Sequence, residues 1–369
     1  MREPRWHFEL EDVDSAGASY GVGRLRAFAP VISYAVGKPT SVTMRLVNTD
    51  PLLANIIELR SRVKAYRVPA WEPIAGQAVP DGVLRAYGHI IAATDTFGAN
   101  GGVEVAVASP LHLLGRRVRQ SERIFSAVDQ NTIAAQLIDD ENTRYPTGIR
   151  TTTHATTSGV ARTITAPRDK NVVQTITEMA DAFGGFDVEV LPVDDNPAVM
   201  GDLRLHYPSQ GVDNLGVFLE HGTGKRNILG GTRTRSTDLV SSHVHVLGRT
   251  DGAAQFRSDR TDPNVTTTYR ALLDSVATYS DIGNQAMLDT LSEFLGGFRA
   301  APRELLRLEL APTAGIRPFD DFNLGDRITA RIQEGRVNID GSVRVWGFEI
   351  TPTATGEERL SSLTIEPGA

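Results

Sequence analysis

The sequence predicts a β-rich α+β fold in which two β regions flank an α/β insert and one helix interrupts the second β region. Three features point to it. Residues 1–114 are a succession of short runs in which apolar and polar residues alternate, separated by Gly, Pro and Asn-Gly turns. From about 115 to 200 the apolar spacing lengthens to that of helices. From 201 the alternation returns, and it ends on the hairpin FNLGDRITARIQEGRVNIDGSVRVWGFEI at 322–350.

In the first region, residues 7–12, 41–47, 58–68, 84–91 and 103–107 read as strands. Their spacing suits a small antiparallel barrel or sandwich over 1–114. A helix is expected after Asp129, a plausible cap, with Ile133, Gln136 and Leu137 at helical spacing. A second is expected from about Asp169 to Phe183, with Pro167 ahead of it and Gly184-Gly185 behind. Residues 186–191 then read as a strand, which makes 115–200 a compact α/β insert.

Residues 203–207, 217–220 and 243–248 are the strands expected of 201–281, the first part of the second β region. A helix over about 282–298, apolar at Met287, Leu288, Leu291, Phe294 and Leu295, occupies the insert at 282–300. Residues 301–369 supply the closing strands. In the hairpin, Ile328, Ala330 and Ile332 share one face, while Arg327, Thr329, Arg331 and Gln333 share the other. Asp340-Gly341 has the chemistry of its tight turn, and Gly335 that of an earlier turn or bulge. The return strand is apolar on much of both faces, so Trp346 and Phe348 are candidates for an aromatic core. Gly325, Asp326 and Arg327 form the turn that leads into the hairpin. Gly325 is expected in a conformation disfavoured by a Cβ, and Asp326 or Arg327 in a local hydrogen bond.

Composition narrows the function classes. The 369 residues are 40% hydrophobic and 22% charged, enough to bury real cores. A formal net charge of -7 disfavours a nucleic-acid binder, which needs clustered Lys and Arg. The short basic runs at 115–119 and Lys225-Arg226 read as solvated faces. With no cysteine there is no disulfide, thiolate nucleophile or thiolate metal site. No run approaches the ~20 apolar residues needed to span a bilayer, and the N-terminus has no signal-peptide core. The chain is expected to stay in the cytoplasm or to leave it within an assembly.

No catalytic, cofactor or metal residue is assigned. The stretch from Gly222 to Arg226 looks like a phosphate loop, but Leu219 stands where its first Gly belongs and Arg226 where Ser or Thr would hold magnesium. His243 and His245 share a strand face at a spacing usable for zinc, with no third ligand marked. Asp194-Asp195 and Asp320-Asp321 are sequence neighbours that point apart, and they read as turn formers. Neither a Gly-x-Ser-x-Gly elbow nor a His-Glu-x-x-His helix occurs.

Residues 238–248, DLVSSHVHVLG, resemble a stretch recurrent in tail hub proteins of long-tailed bacteriophages. Phe322-x-Leu324-Gly325-Asp326-Arg327, Arg344-Val345-x-Gly347-Phe348-x-Ile350 and Leu360-x-x-Leu363-x-Ile365 look like the closing barrel of the same family. Residues 102–116, GVEVAVASPLHLLGR, resemble its first barrel leaving for the insert. The ordered set spans most of the chain. The resemblance implies two tube-like β-barrels and a homotrimeric baseplate hub, similar to contractile-tail hubs and to type VI secretion spikes. Six barrels would then face a sixfold tail tube and leave a channel for DNA. It also implies a virion protein of the tail tip, made in the host cytoplasm, whose partners are itself, the distal tail protein, the tape measure protein and other minor tail proteins. Many members of that family extend into a hydrolase or receptor-binding domain, whereas this chain stops at Pro367-Gly368-Ala369, and wall degradation is therefore expected of another protein.

Two other classes stay open. One is a β-rich hydrolase with carboxylates such as Asp202 or Glu220 in a cleft. The other is a carbohydrate-binding adhesin using Trp6, Trp71 or Trp346 as stacking platforms.

Overall fold

A computed structural model describes residues 4–13, 19–70, 82–98, 101–152, 157–182, 184–222, 227–251, 254–279, 282–311 and 315–368. The chain is β-rich with few helices, as the alternation predicts. The first β region holds β1 (Arg5–Val13), β2 (Ser19–Leu25), β3 (Ala27–Ala35), β4 (Ser41–Val47), β5 (Arg62–Val68), β6 (Val83–Thr96) and β7 (Gly102–Ala108). All its pairings are antiparallel. Trp6, Phe8 and Leu10 of β1, and Val42, Met44 and Leu46 of β4, point inward on every second residue. β2 and β3 were not anticipated, because Gly21, Gly23 and Pro30 break their alternation.

The α/β insert holds α1 (Pro110–Leu114), β8 (Arg123–Asp129), α2 (Gln130–Arg144), β9 (Ile149–Arg150), β10 (Ala161–Ala166), α3 (Val172–Ala180), β11 (Asp187–Pro192) and β12 (Gly201–His206). The Asp129 side chain caps α2 by accepting the Asn131 N–H at 2.9 Å, and Asn171 caps α3 by accepting the Gln174 N–H at 3.0 Å. The second helix is therefore shorter than expected; Phe183, its expected end, lies outside the described residues. Residues 203–207 were expected to open the second β region. Residues 203–206 fall instead in β12, the middle strand of the insert's sheet, antiparallel to β11 and parallel to β9.

The second β region begins with β13 (Asp213–His221) and β14 (Ile228–Ser236). The chain then departs again through β15 (His243–Asp251), β16 (Ala254–Thr261), α4 (Pro263–Tyr269), β17 (Asp274–Thr278) and α5 (Gln285–Phe298). β15 lies between β16 and β17 in a separate sheet, and Leu288, Leu291 and Leu295 of α5 pack with Val244 and Val246 in a core of their own. Residues 243–248 thus belong with the helix rather than with the second β region. Asn284 sets the start of α5 by accepting the Ala286 N–H at 3.0 Å.

The closing strands are β18 (Arg303–Leu310), β19 (Arg327–Glu334), β20 (Val337–Ile350) and β21 (Leu360–Pro367). The hairpin turns at Gly335-Arg336, with Gly335 at φ +56°, and not at Asp340-Gly341. Asp340 and Gly341 stay in the ladder opposite Arg331 and Ala330, and the Asp340 carboxylate lies 3.4 Å from the Arg331 guanidinium. A cross-strand ion pair accounts for an aspartate that looked like a turn residue.

β20 unites the molecule. Its first half pairs with β19, its last residues pair with β3, and β21 runs along it as well. Both β regions therefore belong to one 13-stranded hydrogen-bonded sheet, and their buried side chains form one contiguous core.

Candidate functional site

Three joints hold the parts of the chain in register. At the seam between β3 and β20, Gly347 faces Ala35, and a Cβ on Gly347 would lie 2.7 Å from the Tyr34 carbonyl oxygen. The bare backbone lets the strands close. The next residue, Phe348, is buried and meets the rings of Tyr34, Phe319 and Phe322 at centroid distances of 4.9, 5.5 and 5.6 Å. Beside this cluster Arg67 of β5 is 2% exposed, and its guanidinium donates to both carboxylate oxygens of Asp320 at 2.8 and 2.7 Å. It also donates to Glu358 at 2.7 and 3.0 Å, and Glu358 accepts the Trp6 indole N–H at 2.8 Å. Burial opposes the charge on Arg67, but Asp320 and Glu358 raise its pKa overall. The Arg67 hydrogen bonds in turn hold Asp320 below the ordinary carboxylate value. The guanidinium of Arg85 lies 4.3 Å from the Phe319 centroid.

The second joint is the turn before β19. Gly325 has φ +86° and Gly211 has φ +96°, and their backbones pass in direct contact. Asp326 is 2% exposed and accepts the Val212 N–H at 2.9 Å and the Asn323 N–H at 2.8 Å. Arg327 sends its backbone N–H to the Val212 carbonyl at 2.9 Å, while its side chain lies in solvent 3.7 Å from Asp213. Arg344, the arginine between two valines, crosses this turn. It donates to Asp187 of the α/β insert and to the carbonyls of Gln210 at 3.3 Å and Gly325 at 3.4 Å. Asp187 also accepts the Gln210 N–H at 2.7 Å. One guanidinium thus ties the insert to the closing hairpin.

The third joint is on β5, where Lys64 is buried and pairs with Glu11 of β1 and with Asp194 in the loop between β11 and β12. Tyr66 donates to Asp194 at 2.6 Å, and Arg62 donates to the Pro197 carbonyl at 3.3 Å. Burial would lower the Lys64 pKa, yet Asp194 and Glu11 keep it above its ordinary value. β5 is therefore covered on both faces.

The residues singled out in the sequence are distributed around these joints. Gly325 and Asp326 sit at the second joint and Phe348 at the first. Trp346 is only half-buried, with the guanidinium groups of Arg303 and Arg344 at 4.5 and 5.6 Å from its ring, so it lies outside the aromatic core. Trp6 is buried and offers no stacking platform; Trp71 and residues 223–226 lie outside the described residues. His243 and His245 stack at 5.9 Å and face Asp274 and Asp259. Among the described residues no group of three or more His, Cys, Asp or Glu is placed to hold a metal. Asp202 is held by Arg150 at 2.6 Å, Asp195 by the same arginine at 2.9 Å, and Asp321 accepts the Arg317 N–H at 2.7 Å. These carboxylates are committed to structural contacts. Sequence reading missed Arg67, Glu358, Lys64, Glu11 and Asp187, whose partners are distant in sequence and leave no local signal.

No protein-family model and no curated protein matches the chain. Solved structures do. The tail protein from Neisseria meningitidis MC58 is 14% identical, with TM-score 0.63, over 99% of this chain and 97% of that one. The 43 kDa tail protein of prophage MuSo2 from Shewanella oneidensis is 10% identical, with TM-score 0.59, over 97% of each chain. A chain of the PdpA-VgrG complex is 8% identical, with TM-score 0.52, over 99% of this chain and 65% of that one. Tail proteins, the neighbours that the sequence resemblance implied, are among those found: the chain has the fold of these tail proteins and of a chain of the PdpA-VgrG complex.

Proposed function

We propose that the chain is a structural component of a phage tail, the hub of the baseplate or tail tip. In this reading three copies form a ring. Each contributes two tube-like β units, one from 1–114 and one from the strands of 213–236 and 303–367, so that six units face the tail tube around a passage for DNA. The supporting observation is the β3–β20 seam with its Arg67–Asp320–Glu358 cluster, which joins the two β regions in one sheet and one core. A part that transmits load along a tube needs rigid joints, and it needs no reactive constellation. Tail location, contacts with the distal tail and tape measure proteins, and a role without enzymatic turnover follow from the same reading.

The test is the solution mass by light scattering, with negative-stain imaging of the particle. A mass three times the 40.0 kDa of the chain, in rings, is expected. A monomer at every concentration, absent from virions by antibody labelling, overturns the reading.

A further inference from the structure

A cavity of about 560 Å³ lies between the first β region and the α/β insert, beside the third joint, with which it shares Arg62. Arg62 of β5 and His89 of β6 line it, and each is 7% exposed. The Arg62 Nε and the His89 Nδ1 are both buried without a hydrogen-bond partner. Arg62 donates from Nη1 to the Pro197 carbonyl, a neutral acceptor. From the insert, Arg117 reaches the same cavity while donating to the carbonyls of Glu141, Tyr145 and Pro146. Arg60 holds the Asp12 carboxylate at 2.7 Å, Arg117 also feels the Glu141 carboxylate, and Glu58 is exposed. A buried guanidinium with a free N–H and only carbonyl partners is a charge-assisted donor awaiting an anion.

We propose that this cavity binds a small oxyanion from solution, a sulfate, phosphate or carboxylate seated on Arg62 with Arg117 beside it, and that its binding places a proton on His89. The His89 ring already has a backbone hydrogen bond at Leu59. In the neutral ring the unpartnered Nδ1 is a lone pair, which repels an oxyanion; a proton taken from solvent turns it into a donor. Burial and the nearby Arg62 hold the empty site's His89 at a pKa of about 4. An anion opposes both effects and raises it. The other charged or titratable groups facing the site are Asp12, Glu58, Arg60, Arg117 and Tyr145. Affinity therefore increases as the pH falls.

Sulfate is the probe, because its charge is fixed between about pH 5 and pH 8, where a histidine can titrate. Calorimetric titration of the whole chain, at an ionic strength held constant with sodium chloride, is expected to give saturable binding. Arg62→Met should weaken it by about tenfold or more. Wild-type affinity should rise by up to about tenfold per pH unit on acidification, and His89→Gln should bind with little pH dependence. No saturable binding, or binding that Arg62→Met leaves unchanged, overturns the site. An unaltered pH dependence in His89→Gln overturns the proton coupling. If Arg62→Met does not fold, Arg117→Gln and the ring resonances of wild-type His89 decide: resonances unmoved by sulfate overturn the proposal.

Discussion

Gly211 and Gly325 pass each other backbone to backbone. A Cβ on Gly211 would lie 2.1 Å from the Gly325 carbonyl carbon, and one on Gly325 would lie 2.5 Å from the Gln210 carbonyl oxygen. Both residues also have positive φ. Gly325→Ala is therefore expected to suffer twice, by about 1–2 kcal/mol for the left-handed backbone and about 1–3 kcal/mol for overpacking. Gly335→Ala is the control, since Gly335 has positive φ but open space around it. It should lose only the backbone part. Urea unfolding of the two variants checks this, and equal losses would mean that the contact with Gln210 is not tight.

Asp326 connects that crossing to the ladder. Its carboxylate serves the N–H groups of both Val212 and Asn323. Asp326→Ala removes both hydrogen bonds from residues that are themselves exposed, so each costs only about 0.5–1.5 kcal/mol. Amide hydrogen exchange should speed up at Val212 and Asn323 first. Exchange unchanged at these two amides in a folded Asp326→Ala protein would remove the capping role.

Asp320 makes acid stability a readout of the first joint. Arg67 depresses its folded pKa, so its contribution is present above the unfolded value of about 3.9 and is lost as the pH falls through the folded value. Wild type should be more stable than Asp320→Asn at neutral pH, and the gap should narrow below about pH 4. Arg67→Met should be more damaging than Asp320→Asn, because it leaves Glu358 buried and unpaired, a loss on the order of 3–5 kcal/mol. Unfolding monitored across pH tests both statements. A gap that stays constant down to pH well under the carboxylate range would exclude the Arg67 pairing as its cause.

Lys64 pins the loop between β11 and β12 onto β5 through Asp194. In Lys64→Met the carboxylates of Glu11 and Asp194 lose this cation, and the loop loses its anchor. Limited proteolysis should then cut within 193–200 sooner than in wild type. Cleavage at the wild-type rate would show that the Arg62 contact with Pro197 suffices.

The parts of this architecture that depend on local chemistry were legible in the sequence. Alternation located β1, β4, β7 and β19, while the Asp129 cap, the Pro167 and Gly184-Gly185 bracket and the apolar spacing from Met287 to Leu295 located α2, α3 and α5. The Gly-Asp-Arg turn announced a special backbone at Gly325. What stayed hidden depends on contacts across long separations. Arg344 looked like a polar residue in an apolar strand until Asp187 appeared beside it. Asp340-Gly341 imitated a turn because a solvated cross-strand pair and a turn use the same residue types. Residues 203–206 alternate in either location, and their pairing with β11 and β9 and the core shared with Val188 and Ile149 assign them to the insert. The Arg67 cluster had no local pattern at all, since its carboxylates are 253 and 291 residues away.

Gly347 offers a test of whether the two β regions behave as one body. It sits where β20 leaves β19 for β3, and a Cβ there would meet the Tyr34 carbonyl oxygen at 2.7 Å and the Ala35 Cα at 3.4 Å. Those are strand backbones, which do not swing aside as a flexible side chain does. Gly347→Val must push β3 from β20, and with it the buried ring of Phe348 from Tyr34. The two β regions share the sheet through β3–β20 and share the Arg67 cluster, so wild type is expected to unfold them in one transition. With the seam opened, the variant is expected to lose about 1–3 kcal/mol and to show a broader or biphasic urea transition, with a smaller apparent m-value. Tryptophan fluorescence gives one probe, since Trp6 and Trp346 belong to opposite β regions, and far-ultraviolet circular dichroism gives the other. Coincident, equally steep transitions for wild type and variant by both probes would show that the seam is not what couples the two regions.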